Sequence, residues 1–555
     1  MSTKLTRRES ICLGISALTA GSLSGAETAD AAATKHASPP CGNAGPDVTW
    51  AKGVEGQRRA DLGDGHYLNP VLAGDHADPS VLKDGSTYYK VSSSFDYYPG
   101  LVIWQSDDLV NWTALLPTLH KPVGSVYAPD LVKHAGRYYI YFPAVNHSDD
   151  LTKPGPYGGL PFITNYVIHA DAINGPWSEP VDLKILNIDP GHILGEDGKR
   201  YLFLAAGQRI QLSDDGLATV GKPEKVYDGW PIPDDWVIEG FNLEAPKLLR
   251  RDGWFYMFSA QGGTAGPATS HMIVVARSRS VNGPWENMPH NPLVHTASAS
   301  EPWWSRGHGT PVEGPHGDWW IVYHGYENGF RTLGRQMLLE PIEWIDGWPK
   351  ALGADLARAA RKPIPERSAP HGTPLSDDFS ADHSGVRYAY FLPGPDYRSK
   401  LQIANGALLV SARGKKPQEA ALLVLNAGDR RYRVTAELEL LEGAVGGLLL
   451  FYNQHAFCGV SASDKQLQVY KAGAPAPFYQ AGPALGTKLQ LRVLNLDNTA
   501  SFFISADGSE WRKICSFEVA GYNHNVFDGF LSLRPAVFSM GQGQVSYQRI
   551  SYQAE

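Results

Sequence analysis

Five times between residues 84 and 324 the chain repeats one pattern, a turn followed by an aromatic-rich strand. "DGSTYYK" begins at 84, "AGRYYIYF" at 135, "DGKRYLFL" at 197, "DGWFYMFS" at 252 and "HGDWWIVYH" at 316. Their glycines, Gly85, Gly136, Gly198, Gly253 and Gly317, are 51, 62, 55 and 64 residues apart, the length of a four-stranded sheet with its loops. Such a sheet cannot bury both faces alone, and sheets repeated around an axis close into a propeller with only short edges. Five repeats predict five blades. A second echo, "INGPWSEP" from 173 and "VNGPWENMP" from 281, falls at similar places in its two repeats.

In a propeller the first strand of each blade lines the axis, so the residues that open those strands meet at one mouth. Counting back from each turn glycine, Asp78 lies 7 residues before, Asp130 lies 6 before, and Asp189, Glu244 and His308 each lie 9 before. Four of the five have a proline within two positions ("ADPS", "YAPDL", "IDPG", "EAPK"), which suits a strand start because proline cannot donate inside a ladder. Each acid alone also reads as a turn cap. Five polar residues in matched places predict a shared site.

The rest of the chain is organised differently. Residues 351–374 are rich in Ala, Arg and Pro with no strand pattern and read as a linker or brace. From 375 to 555, short runs such as "YRVTAELEL" at 432 and "KLQLRVLNL" at 488 alternate apolar and polar residues between turns, which predicts a β-sandwich. The expectation is an all-β chain, a five-bladed propeller over 63–350 followed by a concanavalin-like sandwich. The first 33 residues, with Arg7-Arg8, a weakly apolar stretch and a small-residue A-x-A site at Ala29-Asp30-Ala31, predict a twin-arginine export signal and a periplasmic or extracellular protein. Residues 34–62 read as a flexible segment. No stretch approaches the length of a membrane span. A net charge of -8 and no basic cluster exclude nucleic acid as partner. Of four cysteines, Cys12 lies in the signal and Cys41, Cys458 and Cys515 form no C-x-x-C pair, so neither a metal cluster nor a disulfide scaffold is expected. A Cys458–Cys515 bridge stays open.

Carboxylates gathered in an aromatic-lined pocket are the equipment for cleaving glycosidic bonds, where one group protonates the leaving oxygen and another activates water or attacks carbon. Asp78, among small residues, suits an ionised base. Glu244, between apolar neighbours in "FNLEAPKLL", suits a proton donor, because burial raises a carboxyl pKa. Asp130 is placed to raise it further. No G-x-S-x-G, H-E-x-x-H or Gly-rich nucleotide loop competes.

Over roughly residues 66–350 the chain resembles glycoside hydrolase family 43, through "NPVLAGDHADPSVLKDGSTYYKVSSSFDYYPG", "YAPDLVKHAGRYYIYF", "LEAPKLLRRDGWFYMFSAQGGT" and "RGHGTPVEGPHGDWWIVYHG" through "LGRQMLLEPIEWIDGWP". The resemblance implies an inverting hydrolase with Asp78 as general base, Glu244 as general acid and Asp130 as the group that tunes the acid's pKa. It also implies substrate contacts from Phe95, Tyr127, Arg335 and His308, a sandwich that closes one side of the pocket, and no required cofactor, although His308 stands where some members hold a water-rich calcium. Trp303 and Trp304 read equally as substrate contacts or as core. Two residues depart from the family pattern: Tyr127 stands where Trp usually precedes A-P-D, and Ala245 where Gly usually follows the acid. The expected substrates are plant pentosan fragments, with β-xylosidase ahead of α-L-arabinofuranosidase and an endo-acting arabinanase or xylanase third. The rival class is a non-catalytic carbohydrate-binding propeller.

Overall fold

Each repeat glycine adopts the left-handed backbone that a tight turn requires, with φ between 63° and 83° from Gly85 to Gly317. On either side of these turns the computed structural model, which describes residues 49–146, 163–353, 355–394 and 396–555, forms five antiparallel sheets in chain order, each built on four strands, with a fifth short strand added to the second and fourth. Their first strands are Ser80–Asp84, Asp130–His134, Gly191–Leu194, Leu243–Arg251 and Trp303–Glu313. Their second strands, such as Arg137–Val145 and Trp319–Glu327, are buried almost throughout, because a propeller blade is covered on both faces.

The aromatic residues that mark the repeats fill the spaces between blades. Tyr139 and Tyr141 pack on Leu202 and Leu204 of the next blade, Tyr201 and Phe203 on Phe255 and Met257, and Tyr256 and Phe258 on Ile321 and Tyr323. Val81 and Tyr88 meet Val322 and Leu339, which closes the ring. Closure is fastened by the segment before the first blade: Tyr67 donates its hydroxyl to the Leu339 carbonyl at 2.9 Å, and the Asn69 side chain bonds the Leu339 N–H and C=O, each at 3.0 Å.

The following sandwich stacks a seven-stranded sheet on an eight-stranded one. In Arg431–Leu441 and Lys488–Leu496 every second residue is buried, as a sheet with one wet face demands. Ala444–Asn453 and Arg534–Gly541 are buried on both faces. The last strand of their sheet is Tyr97–Tyr98 of the propeller, paired with Ala389–Phe391.

Two segments are more ordered than their composition predicts. Residues 50–62, expected at the end of a flexible segment, contain the paired strands Ala51–Lys52 and Arg58–Arg59, and Arg58 forms a salt bridge with Glu327 at 3.0 Å. Within 351–374, Ala360–Arg361 pairs with His66–Tyr67, and Lys362 reaches buried Asp61 at 2.9 Å, so the linker is a strap. Low apolar content hid both, because their order comes from ion pairs formed over long sequence separations. Cys458 and Cys515 are buried free thiols. The export signal lies outside the described residues. Among those described, no helix is long and apolar enough to cross a membrane.

Candidate active site

Four residues at the inner ends of the first strands share an uncommon backbone: Asp78, Asp189, Ala245 and His308 have φ of 56°, 59°, 54° and 57°. Three of them precede a proline, which fixes the frame between blades: Asp78-Pro79-Ser80, Asp189-Pro190-Gly191, Ala245-Pro246-Lys247, with Ala128-Pro129-Asp130 and His308-Gly309-Thr310 completing it. In this frame Asp78, Asp189 and His308 form the upper layer, with Glu244 directly before Ala245. Asp130 belongs one layer deeper, with Ser80 and Lys247.

That placement corrects the expectation for Asp130. Its carboxylate takes Lys247 Nζ at 2.9 Å, Ser80 Oγ at 3.2 Å and the His192 N–H at 2.8 Å, so it serves a buried ion pair. Counting back from the turns misplaced it because β-bulges lengthen some first strands, between Glu244 and Lys247 and twice between Trp304 and Thr310.

Asp78 is held from several sides. Oδ1 accepts Arg335 Nη1 at 2.8 Å and lies 3.2 Å from His308 Nδ1, while Oδ2 accepts the Ser93 hydroxyl at 2.5 Å. His324 Nδ1 accepts the Asp78 N–H at 2.9 Å, so this ring fixes the backbone. Burial alone would raise the Asp78 pKa, but the Arg335 guanidinium beside it outweighs burial and holds the carboxyl well below the usual range.

Glu244 has the opposite setting. The residue is half-buried, and no cation pairs with its carboxyl among the described residues. Burial first, then the negative charges of Asp189 and Asp78, push its pKa well above the ordinary carboxyl range. Asp189 is pushed up likewise, by burial and by Asp78, and accepts the Ala245 N–H at 3.1 Å. The leading like charge on Glu244 therefore comes from the third blade. Sequence reasoning had treated Asp189 as a strand cap, although "IDPG" shares the frame of "ADPS".

The aromatic wall spans both parts of the chain. Phe95 and Tyr127 meet edge to face at 5.5 Å, and Phe530, from a sandwich loop, meets Tyr127 at 6.4 Å. The Arg335 guanidinium lies 5.5 Å from the ring centres of both Phe95 and Phe530. Phe95, Tyr127, Arg335 and His308 thus gather around Asp78. Phe530 had no signal in the sequence, standing in an irregular stretch 195 positions beyond Arg335. Trp303 is core, and Trp304 carries Arg331 on its face and donates to the Ala299 carbonyl.

At the axis His271, His308 and His324 are buried, with the His324 ring centre 5.3 Å from that of His271 and 5.8 Å from that of His308. Among the described residues, neither nitrogen of His271, nor Nε2 of His308, has a hydrogen-bond partner. Calcium takes six to eight oxygen ligands. Among the described residues no group of three or more His, Cys, Asp or Glu side chains is placed to hold an ion, so this donor set fits a calcium only through a water shell.

The model of glycosyl hydrolases family 43 matches residues 67–349. Among curated relatives, a xylan 1,3-beta-xylosidase from a Vibrio species is 32% identical over 51% of this chain and 56% of its own length. A non-reducing end alpha-L-arabinofuranosidase of Bacteroides ovatus is also 32% identical, over 51% of this chain and 53% of its own. The chain thus spans about half the length of the curated relatives it matches. A variant of the GH43 protein BlXynB from Bacillus licheniformis superposes with a TM-score of 0.77 at 25% identity, covering 88% of this chain and all of its own. A xylan beta-1,4-xylosidase of Bacillus halodurans, at 22% identity and a TM-score of 0.74, shares the fold over 88% of this chain.

Proposed function

This chain belongs to glycosyl hydrolases family 43, and on that premise we propose that it removes terminal pentose residues, β-xylosyl first, from plant cell-wall oligosaccharides with inversion. The observation that carries the reading is the opposed pair: Asp78 held ionised beside Arg335, and Glu244 held protonated by burial and Asp189. Two carboxyls pushed apart in pKa are how one site supplies a base and an acid at one pH. Asp78 takes a proton from water as it attacks the anomeric carbon, and Glu244 protonates the departing oxygen. Asp189, in place of Asp130, keeps Glu244 protonated between turnovers. Phe95, Tyr127 and Phe530 pack on the sugar, and Arg335 both holds Asp78 and faces substrate hydroxyls.

Phe530 closing one side supports removal of terminal sugars over internal cleavage. α-L-Arabinofuranosidase activity is the second reading, favoured by a relative of that name at the same identity as the xylosidase. A binding-only propeller has no use for carboxyls with opposed pKa values. A hydrated calcium beside His308 would add positive charge at the axis, and none of the steps above passes through it. Export by the twin-arginine route is part of the proposal, tested by fractionating cells that carry the full chain or an Arg7→Lys/Arg8→Lys variant. A panel of nitrophenyl pentosides with the product anomer followed by NMR tests the activity. We expect xyloside hydrolysis with the inverted anomer released first; a retained anomer, or no pentoside cleaved, overturns the reading.

A further inference from the structure

Asp78 has a second neighbour that opens away from the sugar. Ser93, which donates to Oδ2, also lines a cavity of about 120 Å³ between the first blade and the sandwich. Neither Asp78, Glu244 nor Asp189 lines it, so Ser93 stands between this cavity and the site. Its walls are mixed: Ser92, Ser94 and His76 on the propeller side face Asn426, Asp429 and Arg534 of the sandwich, with Val102, Trp104 and Val424 among the apolar residues between them. Gly372, Thr373, Val386 and Arg387 line it as well and are partly exposed, so it communicates with solvent. A space of this size, with serine, histidine, asparagine, carboxylate and guanidinium groups in its lining, has room and partners for several waters.

An inverting turnover leaves the base protonated behind its product, since the cleaved sugar still occupies the front. The groups on Oδ1 give no exit. Arg335 is a permanent cation, His324 Nδ1 is engaged with the Asp78 N–H, and burial holds the His308 and His324 rings neutral. Glu244 and Asp189 are themselves carboxyls short of positive charge. Asp75, the remaining carboxyl near this group, is occupied by Arg534 and the Arg335 N–H.

We propose that Ser93 is the proton-relay partner of Asp78, through which the base discharges into the rear cavity while the sugar still fills the front. The inference rests on the hydrolase reading above. In the relay Asp78 Oδ2–H gives its proton to Ser93 Oγ as the Ser93 hydroxyl gives its own proton to a cavity water. Asp78 returns to the carboxylate, Ser93 is unchanged, and one proton reaches solvent. Glu244 regains its proton separately through the mouth.

Three variants test this on the full chain with a nitrophenyl xyloside or arabinoside, whichever the wild type cleaves. Ser93→Ala should lower kcat at least tenfold with KM within twofold and move the acid limb of the kcat/KM profile upwards, because the carboxylate loses a donor. Ser93→Thr, which keeps the hydroxyl, should stay within threefold. Val102→Phe narrows the cavity without touching Asp78, and should lower kcat while stopped flow reveals a burst of one product per enzyme. Ser93→Ala with wild-type kcat and acid limb overturns the relay, and Val102→Phe with wild-type kcat and no burst overturns the rear exit. If the wild type cleaves no pentoside, the functional reading has failed instead. Activity in the wild type together with an indifferent Ser93→Ala condemns the relay alone.

Discussion

Burial without a cation makes a carboxyl hold its proton to higher pH, and a guanidinium alongside makes it lose the proton at lower pH. Asp78 must be ionised and Glu244 protonated for turnover, so activity should fall with rising pH only when Glu244, pushed upwards, loses its proton. With falling pH it should fall only when Asp78, held down by Arg335, gains one. The kcat/KM profile should therefore have a broad plateau around neutrality. Asp189→Asn removes the leading like charge on Glu244, so the alkaline limb should move to lower pH. Asp130→Asn should leave that limb in place. It should instead cost about 3–5 kcal/mol of stability, because Lys247, with 5% of its side chain exposed, loses its carboxylate. If Asp130→Asn moves the alkaline limb and Asp189→Asn does not, the two assignments must be exchanged. Asp78 and Glu244 were legible because proline and the turn glycine bracket them in the chain. The separate duties of Asp130 and Asp189 were not, since the acid follows the proline in "APD" and precedes it in "DPG", and only the frame across the blades turns that offset into a difference of layer.

The loop that carries Phe530 is built to hold one ring. Asn523 caps the short helix His524–Phe527 by accepting the Asn525 N–H at 3.0 Å. Beyond it Asp528, Gly529 and Phe530 all adopt positive φ, which folds the chain back on the helix. The Phe530 N–H then donates to His524 Nδ1 at 2.8 Å, and the two rings stack with centres 3.9 Å apart. Phe530 so reaches Tyr127 and Arg335 from a different sheet. Truncating it removes ring contacts with Tyr127, the guanidinium and the sugar, about 1–2 kcal/mol together. Phe530→Ala should therefore raise KM and lower kcat/KM roughly 5 to 30-fold with a melting temperature lowered by no more than a few degrees, while Phe530→Tyr retains most activity. Equal kinetics for Phe530→Ala and wild type would remove the loop from the site. The blades were readable because each announces itself locally, with a glycine at positive φ and aromatic residues two to four positions on. A loop whose partners lie in another sheet leaves no such mark.

The two β architectures share one interior. A single apolar cluster runs from Val91, Phe95 and Phe142 in the first two blades to Leu423, Leu448 and Phe538 in the sandwich. Tyr97–Tyr98 completes a sandwich sheet. The join also carries charge: Asp75, three residues before the base, takes Arg534 of the sandwich at 3.3 Å, and Glu327 pairs with both Arg58 and Arg430. Separating the parts would expose the apolar cluster, at a cost of about 25 cal/mol per Å² of apolar surface, and break the Asp75–Arg534 ion pair. Net stabilities of whole domains are only about 5–15 kcal/mol, so neither half has a margin to absorb that loss. A chain ending at residue 374 should accordingly fail to give soluble, active propeller, and the whole chain should melt in one transition with equal calorimetric and van't Hoff enthalpies. Arg534→Met probes the same join more gently, and should lower the melting temperature and kcat/KM together, since Asp75 supports the Arg335 backbone that positions Asp78. Two separate calorimetric transitions, or a shortened chain with wild-type kcat/KM, would mean that the sandwich is an appendage and that the site is complete without it.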